Sequence, residues 1–214
     1  MIAADTLLFD LDGTLVDARL DIVNAMNHTL AKLGYDEKIF AEIVSYIGTG
    51  VSDLVAKSMG TRDAKLIVNG VKIYGEYYLE HPADHAKLYP NVVEVLEYFN
   101  KKRKFILTNR YAAFAAAVLK ELRIAKYFED IIGGDDENCL KPLACVFDKF
   151  MPKLNIDRSR AFIIGDMDVD IMAGKNSGIK TCWVTHGLGR KEDVLPLKPD
   201  YIVDDMIELK GIVK

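Results

Sequence analysis

The chain has 214 residues and a formal net charge of −4, with 50% hydrophobic and 28% charged residues. This composition excludes a disordered chain, and the acidic balance argues against nonspecific nucleic-acid binding, which depends on basic surfaces. No run approaches the roughly 20 apolar residues that span a membrane, and no signal peptide is visible, so we expect a soluble cytoplasmic protein. The three Cys residues are odd in number and lack C-x-x-C spacing, which argues against a disulfide framework or a zinc site.

Short apolar runs recur along the chain and read as buried strands. The clearest runs occupy residues 6–9, 104–107, 161–164 and 181–184, and weaker ones occupy residues 130–132 and 201–203. Helical spacing of apolar residues lies between them, at residues 92–99, 114–122, 146–154 and 171–176. Strands that alternate with helices predict βαβ units and a mostly parallel sheet.

The region from residue 16 to residue 85 interrupts this alternation. Apolar residues recur there at helical spacing over residues 22–33, 53–59 and 64–79, with no convincing strand. We therefore expect an all-helical module at residues 16–85, inserted into an α/β core formed by residues 1–15 and 86–214. The length of the chain fits one core domain with such a module.

Residues 10–14 (DLDGT) directly follow the first predicted strand, at the position where doubly wound sheets bind ligands. Asp10 and Asp12 lie two residues apart, so one can act as a nucleophile or metal ligand and the other as a proton donor. A turn is the competing interpretation, because Asp and Gly are common in turns. A second acidic cluster after another strand favours the functional interpretation.

That second cluster, residues 165–170 (GDMDVD), follows the predicted strand at residues 161–164. Spaced carboxylates indicate a hard divalent cation with oxygen ligands. An EF-hand loop is excluded, because its sixth and twelfth positions require Gly and Glu, where this chain has Ile171 and Ser177. Asp168 is assigned to a solvated helix N-terminus, where the helix dipole favours an acidic residue.

Two further polar groups lie at strand ends or helix starts. Thr108 and Asn109 follow the predicted strand at residues 104–107, and a hydroxyl with backbone N–H groups at a helix start can bind an anion. Lys141 precedes another helix and can neutralise a phosphate. Thr and Asn are also ordinary helix caps, and a lone Lys is commonly exposed, so neither group indicates a function by itself. The functional interpretation depends on the order of all four groups, the two acidic clusters and these two polar groups.

Together these residues resemble the haloacid dehalogenase superfamily in its phosphatase branch. Residues 10–14 resemble its first motif, Thr108 with Asn109 the second, Lys141 the third, and residues 165–170 the fourth in its G-D-x-x-x-D form. The resemblance covers the whole chain and implies a Rossmann-like parallel-sheet core with an inserted helical cap. Three stretches further resemble bacterial phosphoglycolate phosphatases: residues 47–50, 124–128 and 132–136.

The resemblance implies a set of catalytic and metal-binding residues. Asp10 is the implied nucleophile that forms an aspartyl-phosphate, and Asp12 the implied acid that protonates the leaving oxygen and later activates water. Mg²⁺ is the implied cofactor, held by Asp10, Asp166 and the backbone carbonyl of Asp12. Asp170 ligates it through water or orients Lys141, which neutralises charge on the phosphoryl group.

The same resemblance implies substrate-binding groups. Thr108 and the backbone N–H of Asn109 are expected to bind phosphoryl oxygens. Arg110, at a position where the family often has Lys, is a candidate cation for a substrate carboxylate. The cap also contains the stretch Gly48, Thr49 and Gly50. This stretch is either a flexible loop suited to a small anionic leaving group or, with equal weight, a simple inter-helix turn.

The expected function is therefore a Mg²⁺-dependent phosphatase of a small phosphorylated metabolite, with 2-phosphoglycolate as the first expectation. Sugar phosphates, nucleotides and pyrophosphate remain open, as does a phosphomutase on the same scaffold. A catalytically idle binding module predicts the loss of at least one motif residue, whereas Asp10, Asp12, Lys141 and Asp166 are all present. No nucleic-acid or membrane partner is expected, and the protein is expected to be a monomer or homodimer.

Overall fold

The computed structural model describes residues 1–214. Its strands are β1 (Thr6–Phe9), β2 (Val16–Asp17), β3 (Lys87–Leu88), β4 (Arg103–Leu107), β5 (Asp130–Ile132), β6 (Ala161–Gly165), β7 (Lys180–Val184) and β8 (Tyr201–Val203). Its helices are α1 (Arg19–Lys32), α2 (Phe40–Val44), α3 (Val51–Met59), α4 (Ala64–Glu80), α5 (Val92–Tyr98), α6 (Ala112–Glu121), α7 (Cys145–Leu154), α8 (Asp168–Asn176), α9 (Lys191–Val194) and α10 (Leu209–Ile212). Short 3₁₀ helices lie at Ala125–Tyr127, Arg158–Arg160, Leu195–Leu197 and Met206–Glu208.

Six strands form one parallel sheet in the order β5-β4-β1-β6-β7-β8. The central strand β1 is buried on both faces, as its continuous apolar run predicts. Because side chains alternate along a strand, Leu7 and Phe9 enter the larger hydrophobic cluster on one face, while Leu8 enters a smaller cluster on the other. Helix α7 covers the smaller cluster, and α5 and α6 contribute to the larger one. The predicted α/β class with a parallel sheet is confirmed.

Helices α1 to α4 lie between β2 and β3 and contribute no strand to the sheet. We call residues 19–80 the helical segment. It shares the larger hydrophobic cluster with the core, since Met26 of α1, Leu54 of α3 and Tyr74 of α4 belong to the same cluster as Phe9. Asp63 caps α4 by accepting hydrogen bonds from the backbone N–H groups of residues 65 and 66.

The prediction of no strand within residues 16–85 is wrong at its first residues. Strands β2 and β3 pair antiparallel, with Val16 opposite Leu88, and together they mark where the chain enters and leaves the helical segment. Two residues are too few to show a period of two, so the sequence pattern gave no signal for them. Nearby, the buried carboxylate of Asp21 accepts hydrogen bonds from the N–H groups of His85 and Ala86, which fixes the return of the chain to the core.

The order in which the strands are added to the sheet reverses at β1. From β1 the chain continues to β4 and β5 on one side and then returns to β6 on the other. The loops that follow β1, β4 and β6 therefore diverge and leave a crevice at the carboxyl ends of these strands, where α/β sheets bind ligands. No helix in the structure is both long enough and apolar enough to cross a membrane.

The structure joins Cys139 and Cys145 in a disulfide, with Cα atoms 5.8 Å apart. This corrects the expectation that the cysteines form no disulfide. The chain between them turns at Lys141 and Pro142, so that the first residue of α7 lies beside Cys139. Spacing alone could not show this turn, because it depends on tertiary contacts of Lys141. Cys182 is free and buried in β7.

Candidate active site

Three carboxylates meet in the crevice. Asp10 follows β1, Asp166 follows β6, and Asp170 lies in the first turn of α8. One oxygen atom from each lies within 4.8 Å of the others, and all three residues are buried. The strand ends thus bring together residues that are far apart in the chain, as the motif positions predicted.

Lys141 lies inside this carboxylate cluster. Its Nζ donates to Asp10 Oδ1 at 2.6 Å, to Asp170 Oδ1 at 2.7 Å and to the backbone carbonyl of Leu107 at 2.8 Å. These contacts use all three ammonium donors. Burial alone would lower the pKa of Lys141, but the carboxylates of Asp10 and Asp170 outweigh burial and raise it. Lys141 therefore stays charged, and it is held between Asp10 and Asp170.

Asp166 is held in place by contacts with four residues. Its Oδ1 accepts a hydrogen bond from the Thr14 hydroxyl at 2.8 Å, and its Oδ2 accepts one from the N–H of Leu188 at 2.6 Å. Gly13, with φ of +91°, packs directly against this carboxylate, and any side chain at residue 13 would collide with it. The indole N–H of Trp183 donates to the backbone carbonyl of Asp166 at 2.8 Å. Trp183 thus anchors the loop that carries Asp166.

The cluster contains more carboxylates than cationic groups. Burial raises the pKa of Asp166 to about 7, and the neighbouring Asp170 adds to this effect. Burial also raises the pKa of Asp10 well above its usual range, although Lys141 opposes the change. Three buried carboxylates with a single ammonium group form a site that favours a further cation. Asp168 is not part of the cluster and begins α8, as predicted.

The carboxylate of Asp12 pairs with Arg110 rather than with the carboxylate cluster. Arg110 binds it through two hydrogen bonds, from Nε to Oδ2 at 2.8 Å and from Nη2 to Oδ1 at 2.7 Å. Arg110 Nη1 also donates to the hydroxyl of Tyr78, which belongs to the helical segment. The side chain of Asp12 is therefore engaged by Arg110 and is not part of the carboxylate cluster, so the predicted metal contact rests on its backbone carbonyl.

Thr108 and Asn109 occupy the start of the loop after β4. The Thr108 hydroxyl accepts a hydrogen bond from the N–H of Arg110 at 3.2 Å. The side chain of Asn109 forms two hydrogen bonds with the backbone of Lys141, at 2.8 and 2.9 Å, and donates to the carbonyl of Gly48 at 2.8 Å. Asn109 thus positions Lys141 and links the core to the helical segment, a role that motif reasoning missed.

Many of these groups border one cavity of about 50 Å³ between the helical segment and the sheet. Its polar wall contains Asp10, Asp12, Thr108, Asn109, Arg110 and Lys141. The rest of its lining is mainly apolar and includes Ile22, Ile47, Val51, Leu54 and Tyr74. A volume of this size suits a small molecule.

The loop predicted to bind the leaving group reaches the cavity only in part. Gly48 and Gly50 line the cavity, but Thr49 does not, and its hydroxyl donates to Asp53. The positive φ angles of the two glycines, 110° and 107°, turn the chain so that the side chain between them faces away. The Thr49 side chain therefore does not line this cavity.

Tyr74 and Tyr78 are cavity and network residues that sequence reasoning missed. Both are buried in the helical segment and pack against Phe114. The ring of Tyr78 also lies 4.7 Å from the guanidinium of Arg110. No local pattern marks these contacts, because α4 and the loop after β4 are far apart in the chain.

Comparison with known proteins identifies the family of this chain. The model of the family described as haloacid dehalogenase-like hydrolase matches residues 7–184. The phosphoglycolate phosphatase of Aquifex aeolicus is 33% identical, over 92% of this chain and 98% of its own length, and that of Vibrio parahaemolyticus is 29% identical, over 97% and 95%.

Two solved structures share the fold. A haloacid dehalogenase-like family protein from Streptococcus pneumoniae is 28% identical, with a TM-score of 0.84 over 98% of each chain. A predicted phosphoglycolate phosphatase from Haemophilus somnus is 24% identical, with a TM-score of 0.90 over 99% of each chain. The family match covers all four motifs, from Asp10 to Asp170. The chain therefore belongs to the haloacid dehalogenase-like hydrolase family.

Proposed function

We propose that this hydrolase is a Mg²⁺-dependent phosphatase that cleaves a small phosphate monoester through an aspartyl-phosphate at Asp10. The chain is a hydrolase of phosphoric monoesters, in line with its family and its named relatives. One observation carries the mechanistic proposal: Asp10, Asp166, Asp170 and Lys141 meet at the carboxyl ends of β1 and β6, beside a small cavity.

The carboxylate cluster fits Mg²⁺. Its side-chain donors are all oxygens, as Mg²⁺ prefers, and three buried carboxylates share a single ammonium group there. We assign Asp10, Asp166 and the backbone carbonyl of Asp12 as the groups that hold it, with Asp170 contributing through water. When bound, the ion neutralises charge on the carboxylate and the phosphoryl group, which otherwise repel each other.

In the first half-reaction a carboxylate oxygen of Asp10 attacks phosphorus and the bond to the ester oxygen breaks. Asp12 supplies the proton that the leaving oxygen takes up. Lys141, held against Asp10 at 2.6 Å, and the Thr108 hydroxyl stabilise the charge that develops on the phosphoryl oxygens.

In the second half-reaction water attacks the phosphorus of the aspartyl-phosphate. Asp12, now a carboxylate, accepts a proton from that water, and Asp10 is released. Arg110 binds both oxygens of Asp12 in this structure, so this contact must open before Asp12 can exchange protons with the leaving group and the water. We assign residues 16–85 as the cap that excludes bulk water while these steps occur.

The favoured substrate is 2-phosphoglycolate. The cavity of about 50 Å³ suits a small leaving group, and the relatives with 29% and 33% identity are named phosphoglycolate phosphatases. Arg110 forms three hydrogen bonds to protein groups with its five N–H groups. Its two remaining N–H groups can bind a substrate carboxylate, which supports the predicted role of Arg110.

A panel of phosphate monoesters tests this substrate assignment. With Mg²⁺ present, we expect kcat/KM for 2-phosphoglycolate to exceed that for sugar phosphates and nucleotides by about 100-fold, because two hydrogen bonds to a charged group contribute a few kcal/mol. Phosphate release measured at equal enzyme concentration gives the comparison. Equal kcat/KM values across the panel would remove the substrate assignment but leave the reaction class in place.

Metal binding is expected to depend on pH. The pKa of Asp166 in the folded protein is about 7, above the ordinary value of about 4 for an unfolded chain. The stabilisation from its protonated form is fully present below pH about 4 and is lost as the pH rises through about 7. Mg²⁺ binds the carboxylate, so the gain in melting temperature on replacing EDTA by Mg²⁺ should be larger at pH 8 than at pH 5.

Two variants control this melting experiment. Asp166→Asn should abolish the gain, whereas Asp168→Asn, which changes a carboxylate outside the cluster, should retain it. An equal gain at both pH values, or a gain that survives in Asp166→Asn, would place the cation elsewhere.

A further inference from the structure

Tyr74 has a hydroxyl that the protein itself does not use. The residue lies in α4, is 2% exposed and lines the cavity together with Asp12 and Arg110. Its hydroxyl forms no hydrogen bond with any protein group. Polar side-chain atoms that are both fully enclosed and without a partner occur only at Ser58 and Ser177, so the Tyr74 hydroxyl is not fully enclosed. The Tyr74 hydroxyl is therefore open to the cavity, and a buried hydroxyl without a partner reduces stability.

The neighbouring tyrosine shows the contrast. Tyr78 lies one turn along α4, with its ring stacked on that of Tyr74 at a centroid distance of 5.6 Å. Its hydroxyl is fully engaged, because it accepts from Arg110 and donates to the carbonyl of Pro82 at 3.1 Å. Of the two stacked phenols, one fixes Arg110 and the other is left free for a molecule in the cavity.

The chemistry of the free hydroxyl indicates what it binds. Burial raises the pKa of Tyr74, so the phenol stays protonated and can donate a hydrogen bond. The two N–H groups of Arg110 without protein partners are donors at the same cavity. A set made only of donors, one of them cationic, matches an acceptor group with negative charge.

We propose that Tyr74 is a specificity-determining residue whose hydroxyl donates a hydrogen bond to a carboxylate at the far end of the leaving group. It acts beside Arg110, so that the two residues select phosphate esters with a short carboxylated leaving group. This inference rests on the proposed function, because the phosphoryl group must lie against Asp10 and Lys141 for the leaving group to reach Tyr74.

Binding of two phosphonates tests the inference without any turnover. In 3-phosphonopropionate a methylene group replaces the ester oxygen of 2-phosphoglycolate, and propylphosphonate lacks the carboxylate. Calorimetry in Mg²⁺ buffer should show that Tyr74→Phe weakens binding of 3-phosphonopropionate by about 10-fold, the effect of losing one hydrogen bond to a charged group. Binding of propylphosphonate should change by less than about twofold.

Tyr77→Phe is the matched control, because it removes the same hydroxyl from the same helix. Tyr77 is half-buried, stacks on His28 with ring centroids 4.2 Å apart and does not line the cavity, so both affinities should stay unchanged. Equal weakening of both phosphonates in Tyr74→Phe, or no weakening of either, overturns the inference. If the wild type binds these probes but releases phosphate from no ester, the proposed function fails, while the ratio of the two affinities still decides the role of Tyr74.

Discussion

Replacing Asp10 by Asn is expected to lower kcat by about 10⁴-fold or more, the scale seen when a catalytic nucleophile is removed. Asn has nearly the same shape and can still accept a hydrogen bond from Lys141, but its amide does not attack phosphorus. Phosphate release from 2-phosphoglycolate in Mg²⁺, followed under single-turnover and steady-state conditions, measures the effect. The melting temperature should stay close to that of the wild type, because the change removes one negative charge from a cluster poor in positive charge.

Asp168→Asn is the control for this variant. It makes the same chemical change at a carboxylate that begins α8 and lies outside the cluster, so kcat should remain within about twofold of the wild type. Robust Mg²⁺-dependent phosphate release by Asp10→Asn would contradict the assignment of Asp10 as the nucleophile.

Replacing Lys141 by Met is expected to have the second-largest effect. The change leaves Asp10 and Asp170 buried without their shared ammonium partner and removes the donor to the Leu107 carbonyl. Breaking a buried ion pair by removing one partner costs about 3–5 kcal/mol, and we expect the free energy of unfolding to fall by that amount in EDTA. The loss of a cation beside the phosphoryl group should lower kcat by about 10²–10³-fold.

Lys149→Met separates this effect from the general loss of a Lys. Lys149 lies in α7 and pairs with Asp136 at the surface, where both side chains are about half exposed. Such a pair contributes about 0–1 kcal/mol, so urea unfolding and kcat should change little. A Lys141→Met enzyme with more than a third of the wild-type kcat would show that Lys141 does not stabilise the reacting groups.

The sheet and the carboxylate cluster could be predicted because each rests on a local signal. A parallel strand buried on both faces reads as a continuous apolar run, and the residue after it must lie at the sheet edge. This places Asp10 after β1, Thr108 after β4 and Asp166 after β6, as the structure shows. The exact ends of the strands differ from the prediction by one residue, as at Arg103 and Lys180.

The substrate side of the site could not be predicted in the same way. Arg110 and Asp12 are 98 positions apart in the chain, and Tyr78 reaches Arg110 only because α4 packs over the sheet. A helical stripe of tyrosines reports burial but not which hydroxyl faces a cavity. The orientation of Thr49 likewise depends on the backbone angles of two glycines, which a loop sequence does not reveal.

The covalent intermediate offers the most direct measurement. Borohydride reduces an acyl phosphate to an alcohol, so enzyme that is quenched with borohydride during turnover of 2-phosphoglycolate should contain homoserine at residue 10. Peptide mass spectrometry should find this change in the Mg²⁺ and substrate sample and not in samples that lack either component. Full turnover with an unmodified Asp10, or with the modification at another carboxylate, would contradict an aspartyl-phosphate at Asp10.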